Sequence, residues 1–187
     1  MLFRSILDLN GKTVTGTGTS YGVIDVTKAG TKLTIRDSST GALGKITHEE
    51  GQAAHWGINI NNGAELKLES GTIYVKNTKT DNADGTFTVG VCVNSSGGTL
   101  TMTGGKIDVH AAKYTKGVYM YGGTANISGG EISVSNDLNP SSIGKNAYAV
   151  SQDAASTITI NNGTVETTGT SGTRYGINNT GDRKSVV

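Results

Sequence analysis

The chain has 187 residues, of which 34% are apolar and 28 are glycine, with one proline and a formal net charge of +1. This composition does not fit a helical bundle, and the regular alternation of the apolar residues argues against disorder. The balanced charge excludes the basic stripe of a nucleic-acid surface, and no apolar run approaches the roughly 18 residues that span a membrane. Cys92 is the single cysteine, which excludes an intrachain disulfide and a metal site of paired cysteines.

One short pattern recurs along the chain: two stretches of alternating apolar residues lie on either side of a turn that contains glycine. The copies are 7–16, 31–47, 63–77, 97–111, 122–136 and 155–169. Glycine and Asn-Gly suit such turns because they adopt positive φ at low cost. A third apolar element lies between successive copies, with sequences such as YGV, WGINI and KGVYM. We therefore predict three short strands in each repeat, named A, B and C in chain order, with a tight turn between B and C.

Two architectures are compatible with these strands. Hairpins at the glycine turns would build an antiparallel sandwich or meander. A β-solenoid would instead stack each strand in parallel on its copy in the next coil, about 4.8 Å along the axis. The return of the same residue types in the same strand favours the solenoid, with about five coils. Its inward ladders would be Ile35, Leu68, Met102, Ile127 and Ile160 in the B strands, Ile73, Ile107, Ile132 and Val165 in the C strands, and Val23, Ile58, Val91, Val118, Val150 and Ile177 in the A strands.

The two ends of the chain do not follow the repeat. The DNA string GATCGGAAGAGCGTCGTGTAG, a common sequencing-library adapter, translates as Asp-Arg-Lys-Ser-Val-Val and a stop codon, which is the sequence of residues 182–187. A second adapter string, GTGCTCTTCCGATCT, encodes Leu-Phe-Arg-Ser after a GTG start codon, as in residues 1–5. We expect both ends to be adapter read-through, and residues 6–181 to be one segment of a longer repeat protein recovered from an environmental read.

LDLNGKTVTG, followed by TKLTIRDSSTGALGKIT and then by units of the form GGxLxMxGGxIxV, resembles repeats of large bacterial surface and secreted proteins of the pectate-lyase-like superfamily. The resemblance covers nearly all of residues 6–181. It implies an all-β fold, a right-handed parallel β-helix with three short strands per coil and about five coils. It is less informative about activity, because the superfamily includes polysaccharide lyases, glycoside hydrolases, phage tailspikes and non-enzymatic adhesin-like stalks.

An enzyme of this fold would carry clustered carboxylates on one outward strand face. The outward C-strand ladders are predicted to be Tyr74, Asp108, Ser133 and Glu166, and beside them Lys76, His110, Ser135 and Thr168. Asp108, His110 and Glu166 are therefore the strongest catalytic candidates. Asp108 and Glu166 would lie two coils apart, about 9–10 Å, near the upper end of the about 6.5–9.5 Å carboxyl separation of inverting glycosidases. We expect no Lys or Arg on that face in the same coils, and the alternative is a set of scattered, solvated charges.

The stretch TDNADG offers oxygen ligands for Ca²⁺, chiefly from Asp81 and Asp84. It lacks the alternate-position spacing and the closing Glu of an EF-hand loop, so a polar turn is the alternative and no cofactor is predicted. Arg36 and Glu69 are predicted neighbours in adjacent coils, where an exposed ion pair contributes under about 1 kcal/mol. Alternation places Cys92 on the outer face of its strand.

The longer connections all lie between a C strand and the next A strand, at 48–55, 77–88, 111–115, 136–146 and 169–173. Loops from one position project from one edge of a repeat protein, and that edge is often the binding one. A column of residues stands where these loops end: Tyr21, Trp56, Val89, Lys116, Tyr148 and Tyr175. If its aromatic members face outward, they can stack on sugar rings. The alternation with the inward Val and Ile residues favours the other interpretation, in which they fill a corner of the core.

Many repeats, a neutral surface rich in Thr, Ser and Asn, and no converging catalytic groups predict a non-catalytic structural or adhesive module, secreted by a bacterium or on its surface. Its expected partners are extracellular glycans or a host surface along the loop edge, with no nucleic acid and no membrane span in this segment. Exposed strand edges invite end-to-end self-association. The alternative is a scaffold fragment of a polysaccharide lyase or glycoside hydrolase, with its active coil at Asp108 or outside this segment.

Overall fold

The computed structural model describes residues 3–17, 22–48, 56–78, 87–94, 97–138, 146–169 and 172–180. All regular secondary structure in these residues is β-strand. The strands are β1 (Phe3–Asp8), β2 (Thr13–Gly16), β3 (Gly22–Val26), β4 (Thr31–Arg36), β5 (Lys45–His48), β6 (Trp56–Ile60), β7 (Glu65–Leu68), β8 (Thr72–Asn77), β9 (Thr88–Val93), β10 (Thr99–Ala111), β11 (Thr115–Met120), β12 (Thr124–Ser135), β13 (Ala147–Gln152), β14 (Thr157–Ile160), β15 (Thr164–Thr168) and β16 (Arg174–Asn179). Within the described ranges, no helix is long and apolar enough to cross a membrane.

The strands form two sheets, and every pairing between described strands is parallel. Six strands, the predicted A strands, form one sheet in the order β16-β13-β11-β9-β6-β3. The ten others, the predicted B and C strands, form a second, curled sheet. The antiparallel hairpin alternative is therefore wrong, because the strands on either side of each turn pair with their copies in neighbouring repeats.

The turn between B and C is a bend inside one continuous strand in two of the repeats. The first half of β10 pairs with β7 and its second half pairs with β8. Register shifts interrupt the pairing of β10 with β12 on both sides of Thr103. Gly105 and Gly130 lie at the bends with φ of 74° and 90°, a region that favours glycine. Two of the predicted glycine turns are thus bends inside a continuous strand, whereas those at Gly71 and Gly163 lie between separate strands.

The core lies between the two sheets and contains most members of the predicted ladders. It also contains inward ladders that sequence analysis did not name, such as Leu66, Leu100 and Ala125 in the B strands and Val75, Val109 and Val134 in the C strands. In the B and C strands, every residue predicted to point inward is the register partner of its equivalent in the next repeat. In the A strands the ladder from Ile58 to Ile177 is also confirmed, but its first member is Ile24, because Ile24 and not Val23 pairs with Ile58. Each apolar side chain packs on its equivalents in the neighbouring repeats. A chain in which only 34% of the residues are apolar can therefore still form a continuous core.

Glycine recurs in the A strands because the backbone there touches the C-strand ladder. A Cβ atom at Gly117 would lie 2.6 Å from the Ile132 Cγ2 atom and 2.6 Å from the carbonyl oxygen of Ala149. The next residue, Val118, also belongs to the core, so two consecutive residues face inward. Lys116, immediately before them, consequently faces outward. The same crowding occurs at Gly57 and Gly90.

Asp37 organises the connection between β4 and β5. Its carboxylate accepts hydrogen bonds from the backbone N–H of Gly11 (2.8 Å), Ser39 (3.1 Å) and Gly44 (2.5 Å), and from the Ser39 hydroxyl (2.9 Å). The Ser70 hydroxyl, in the next repeat, accepts from the Asp37 N–H and donates to its carbonyl. Burial raises the pKa of this carboxyl, but the hydrogen bonds outweigh burial and lower the pKa to about 2. Asp37 therefore ties three successive repeats together.

The predicted ion pair between Arg36 and Glu69 is wrong. The Arg36 Nε atom lies 3.0 Å from Oδ2 of Asp8, the register partner of Arg36 on strand β1. Glu69 instead pairs with Lys67 of its own strand region, 2.6 Å away. All four side chains are partly exposed, so solvent screening leaves each pair with little effect on stability.

Strand β1 begins at Phe3, so residues 3–5 of the expected adapter segment are part of a strand. Residues 1–2 and 181–187 lie outside the described residues. Strand pairing depends on the residues present and not on their origin, and the adapter origin of both ends stays a prediction.

Candidate functional site

The outward C-strand ladders have the predicted register. Asp108 lies beside Tyr74 on β8 and Ser133 on β12, and Ser133 lies beside Glu166 on β15. His110 lies beside Lys76 and Ser135. The structure therefore brings Asp108 and His110 together on β10, while Glu166 is separated from Asp108 by the intervening strand β12.

Asp108 is the centre of a charged cluster on this face. Its Oδ1 atom lies 3.1 Å from His110 Nε2, and its Oδ2 atom lies 3.6 Å from Lys106 Nζ. Lys106 also reaches Glu131 of the next strand, at 2.9 Å. The expectation that this face has no Lys is wrong, because Lys106, Asp108 and His110 occupy alternate positions of one strand and share its outer side.

The electrostatics of the cluster favour the charged form of both Asp108 and His110. Burial raises the pKa of Asp108, but the hydrogen bond from His110 and the charges of His110 and Lys106 outweigh burial and lower it. The hydrogen bond to Asp108 raises the pKa of His110 against the effect of burial, with further contributions from Asp108 and Asp137. A glycosidase acid needs the opposite arrangement, a carboxyl whose raised pKa keeps it protonated.

Glu166, the third catalytic candidate, has a local partner. The Ser133 hydroxyl donates a hydrogen bond of 3.0 Å to Glu166 Oε1. This contact lies on the exposed surface, one strand away from the Asp108 cluster. Asp108 and His110 thus contact each other, whereas Glu166 lies apart from them. A catalytic role for these three residues stays a prediction.

The predicted column of A-strand residues is wrong by one residue at its first member. The residues that succeed one another in this position are Gly22, Trp56, Val89, Lys116, Tyr148 and Tyr175. Gly22, and not Tyr21, is therefore the partner of Trp56. Tyr21 itself lies outside the described residues. Gly22 has no side chain and Val89 is buried, while the other four members, Trp56, Lys116, Tyr148 and Tyr175, carry long or aromatic side chains outside the core cluster.

Lys116 of this column contacts a carboxylate and aromatic rings on the outer side of the A sheet. Its side chain is 2% exposed, and Nζ lies 2.8 Å from Oδ2 of Asp153. The same atom lies 3.5 Å from the ring centroid of Tyr119 and 3.9 Å from that of Phe87. Burial lowers the pKa of Lys116, and Asp153 partly counters this effect. Lys116 is thus a buried cation held between a carboxylate and aromatic ring faces.

Asp153 collects several donors besides Lys116. The hydroxyls of Ser151 and Thr180 donate to its Oδ1 atom at 3.1 and 3.2 Å. Tyr119 is hydrogen-bonded to it as well, and the pKa of Tyr119 is raised, first by burial and then by this carboxylate. Sequence analysis missed this site, although a lysine in a column of aromatic residues was a signal that its charge needed a partner.

Five aromatic rings form a continuous row across the outer face of the A sheet, which we call the aromatic row. Its members are Tyr175, Tyr148, Phe87, Tyr119 and Tyr121. Successive ring centroids are 5.3, 6.4, 6.3 and 6.0 Å apart. Both end members are exposed, Tyr175 by 39% and Tyr121 by 47%. Sequence analysis identified only Tyr148 and Tyr175, because the other three lie outside the column at the loop ends.

Tyr148 and Tyr175 are stacked on each other, with ring planes only 5° apart. Each ring therefore has one of its two faces covered by the other ring. The Tyr148 hydroxyl also accepts a hydrogen bond of 2.8 Å from the Asn146 side chain. Trp56, the second member of the column, is half-buried. Ligand binding by Trp56, Tyr148 and Tyr175 stays a prediction, since the structure holds no ligand to test it.

Cys92 lies between Asn59 and Tyr119 in register, outside the core cluster as predicted. It is nevertheless only 1% exposed. Burial raises the pKa of its thiol to about 12, against the effect of the nearby Lys116 charge. Asp81 and Asp84, the candidate calcium ligands, lie outside the described residues. Among the residues that are described, no group of three or more His, Cys, Asp or Glu side chains is placed to hold a metal ion.

Comparison with protein-family models, with curated proteins and with solved structures found no match to this chain.

Proposed function

We propose that the chain is a segment of a right-handed parallel β-helix of the pectate-lyase-like type. Its role in this proposal is that of a non-catalytic structural or adhesive module on a bacterial surface or in a secreted protein. The observation that carries the proposal is the pairing of all three strands of the repeat. In each of the A, B and C positions, strands pair in parallel and in register with their copies in the neighbouring repeats. Stacking of this kind gives an elongated, stiff body that can hold a binding surface away from a cell.

The outer surface of the strands supports the same role. The outward B-strand ladder of Thr34, Lys67, Thr101, Asn126 and Thr159 consists mainly of short polar side chains. Such side chains suit a solvated parallel sheet and carry no group for proton transfer. Several charged residues on this surface form local ion pairs, for example Lys32 with Glu65. This surface is suited to contact with water and neutral ligands.

The aromatic row is the surface that we propose for glycan contact. Tyr121 is the most exposed ring of the row, and its plane is tilted by 51° from that of Tyr119, so parallel stacking does not cover it. At the other end, the face of Tyr175 that is turned away from Tyr148 contacts no other described ring. Apolar faces of sugar rings stack on exposed aromatic rings, while sugar hydroxyls bond to the Tyr hydroxyls. A neutral or weakly charged polysaccharide is therefore the partner class.

A glycan array followed by titration calorimetry tests this proposal. We expect binding of at least one glycan class, weakened about two- to tenfold by Tyr121→Ala and by Tyr175→Ala. Tyr74→Ala is the matched control, because Tyr74 lies on the C-strand face, between Lys45 and His110. No binding to a broad glycan set, or equal losses in all three variants, would show that the aromatic row is a packing feature only.

A second candidate function rests on the cluster of Lys106, Asp108 and His110. In this alternative the chain is a scaffold fragment of a polysaccharide lyase or glycoside hydrolase, and Asp108 takes part in proton transfer. Activity on polygalacturonate and mixed plant glycans, compared with Asp108→Ala, separates the two functions. Turnover that is lost in Asp108→Ala would favour the enzyme, whereas absence of turnover by the folded chain would exclude a site at this cluster.

A further inference from the structure

Both ring nitrogens of His110 face carboxylates, and the two carboxylates belong to different repeats. Nε2 lies 3.1 Å from Oδ1 of Asp108, on the same strand β10. Nδ1 lies 3.7 Å from Oδ1 of Asp137, which follows strand β12 at the start of the connection to β13. A neutral imidazole has one N–H, which the contact with Asp108 uses, while the protonated ring also carries a proton on Nδ1 and a positive charge that form an ion pair with Asp137.

Besides the two carboxylates, the charged and titratable neighbours of His110 that the described residues supply lie on strands β10 and β8. On β10, Lys106 lies 3.6 Å from the Asp108 carboxylate and shares it with His110. On β8, the Tyr74 ring lies 5.8 Å from the His110 ring, and Lys76 is the register partner of His110. On β12 the register partner is Ser135, which carries no charge. Two carboxylates thus contact the His110 ring directly. The neighbouring positive charges are Lys106 on the same strand and Lys76, the register partner of His110 on β8.

We propose that His110 is a proton-operated clamp, which fastens the start of the β12–β13 connection to strand β10 when its ring is protonated. Without the ring proton at Nδ1, Asp137 keeps the hydrogen bond from its own N–H to the Ser135 hydroxyl, at 3.2 Å. The contact with Asp108 persists in both states, since one N–H suffices for it. The residues that respond to the proton are therefore Asp137 and its neighbour Leu138.

The sign of the pH dependence follows from the preference of the folded chain for the protonated ring. The carboxylates raise the pKa of His110, as described above. The clamp is therefore complete below the pKa of an unperturbed histidine, about 6.5, and is lost as the pH rises through the higher value of the folded chain. The inference goes beyond the proposed function and does not depend on glycan binding: it makes one connection at the loop edge respond to mild acid.

Amide hydrogen exchange in the full chain tests the clamp, with rates corrected for the intrinsic pH dependence of exchange. We expect the amides of Asp137 and Leu138 to be about two- to fivefold better protected at pH 5 than at pH 8, the range for a partly exposed ion pair. Asp137→Asn removes the second carboxylate and keeps its shape, and should abolish the difference. His110→Gln should lower the protection at pH 5 to the level seen at pH 8. Asp25→Asn, an exposed carboxylate on β3, is the control and should leave the difference intact.

An NMR titration of the His110 ring gives an independent readout that does not rely on His110→Gln folding. The pKa of His110 should be lower in Asp137→Asn than in the parent chain and unchanged in Asp25→Asn. Equal protection at pH 5 and pH 8 in the parent chain would overturn the proposal. So would a pH response of the two amides that survives Asp137→Asn, or a His110 pKa that this substitution does not change.

Discussion

The Nζ atom of Lys116 lies 2.8 Å from Oδ2 of Asp153, and the side chain of Lys116 is only 2% exposed while that of Asp153 is 31% exposed. The two residues belong to successive repeats, because β11 pairs with β13 and Asp153 directly follows β13. The ion pair therefore crosses the boundary between repeats on the outer side of the A sheet. A buried ammonium group is costly without its partner, so the pair should be much more important as a unit than either charge alone.

Asp153→Ala should lower the free energy of unfolding by about 2–3 kcal/mol, because it leaves the Lys116 charge buried among aromatic rings. Adding Lys116→Met should restore most of the loss, since a thioether chain fits among these rings without a charge. Urea unfolding of the two single variants and the double variant measures this coupling. Additive effects of the two substitutions would show that Lys116 and Asp153 do not act as a pair.

Gly117→Ala should be destabilising, by about 1–3 kcal/mol, because the new methyl group would overlap with Ile132 and with the Ala149 carbonyl. Gly176→Ala is the matched control in the equivalent position of the last A strand. A Cβ there has no heavy atom within 4 Å, and the change should stay within about 0.5 kcal/mol. Thermal unfolding of both variants decides the matter, and a tolerated Gly117→Ala would mean that the A strand can move away from the C-strand ladder.

Asp37→Asn should reduce stability at neutral pH and flatten the acid side of the stability profile. The pKa of Asp37 is lowered to about 2 in the folded chain, so its contribution is present above the ordinary aspartate pKa, about 3.9, and is lost as the pH falls toward 2. Urea midpoints between pH 2 and pH 7 measure this effect. Asp25→Asn, which removes a carboxylate that accepts from Asn59 on the surface, should shift the midpoints far less. Parallel profiles for Asp37→Asn and the parent chain would contradict the hydrogen-bonded role of Asp37.

Cys92 should react with a thiol reagent only when the chain unfolds. A thiol pKa of about 12 lowers the thiolate fraction at neutral pH by about a thousandfold relative to an exposed cysteine. Burial of the sulfur removes access as well. The labelling rate in the native state should therefore follow the unfolding equilibrium as urea is added. Fast labelling without denaturant would show that the outer side of β9 is open.

The outward position of Cys92 illustrates where sequence reasoning succeeds and where it stops. Alternation along a strand assigns the face of a residue correctly, because successive side chains point to opposite sides. It says nothing about what covers that face, and aromatic residues such as Phe87 and Tyr119 gather on the outer side of the A sheet. Burial of an outward residue thus depends on groups that are distant in sequence.

The charged cluster shows a similar limit. The ladder Tyr74, Asp108, Ser133 and Glu166 could be aligned from the repeat alone, since equivalent residues of a repeat pair with one another. The ion-pair partners could not be predicted from the repeat. Lys106 contacts both Asp108 and Glu131, and Arg36 pairs with Asp8 instead of Glu69. A long side chain reaches neighbours on either side, so small energetic differences select its partner.

The sequence by itself determined the all-β character, the three strands of each repeat and one inward ladder for each kind of strand, because a repeated apolar alternation fits one face and one partner strand. It was wrong by one residue at Ile24, because Gly22 of the first A strand pairs with Trp56 and does not occupy the position of Gly57. Only the tertiary structure decided that Lys116 is buried against Asp153 and that five aromatic rings meet in one row. The reason is physical: these contacts join residues of different repeats and different strand ends, and their distances depend on how the sheets bend and stack.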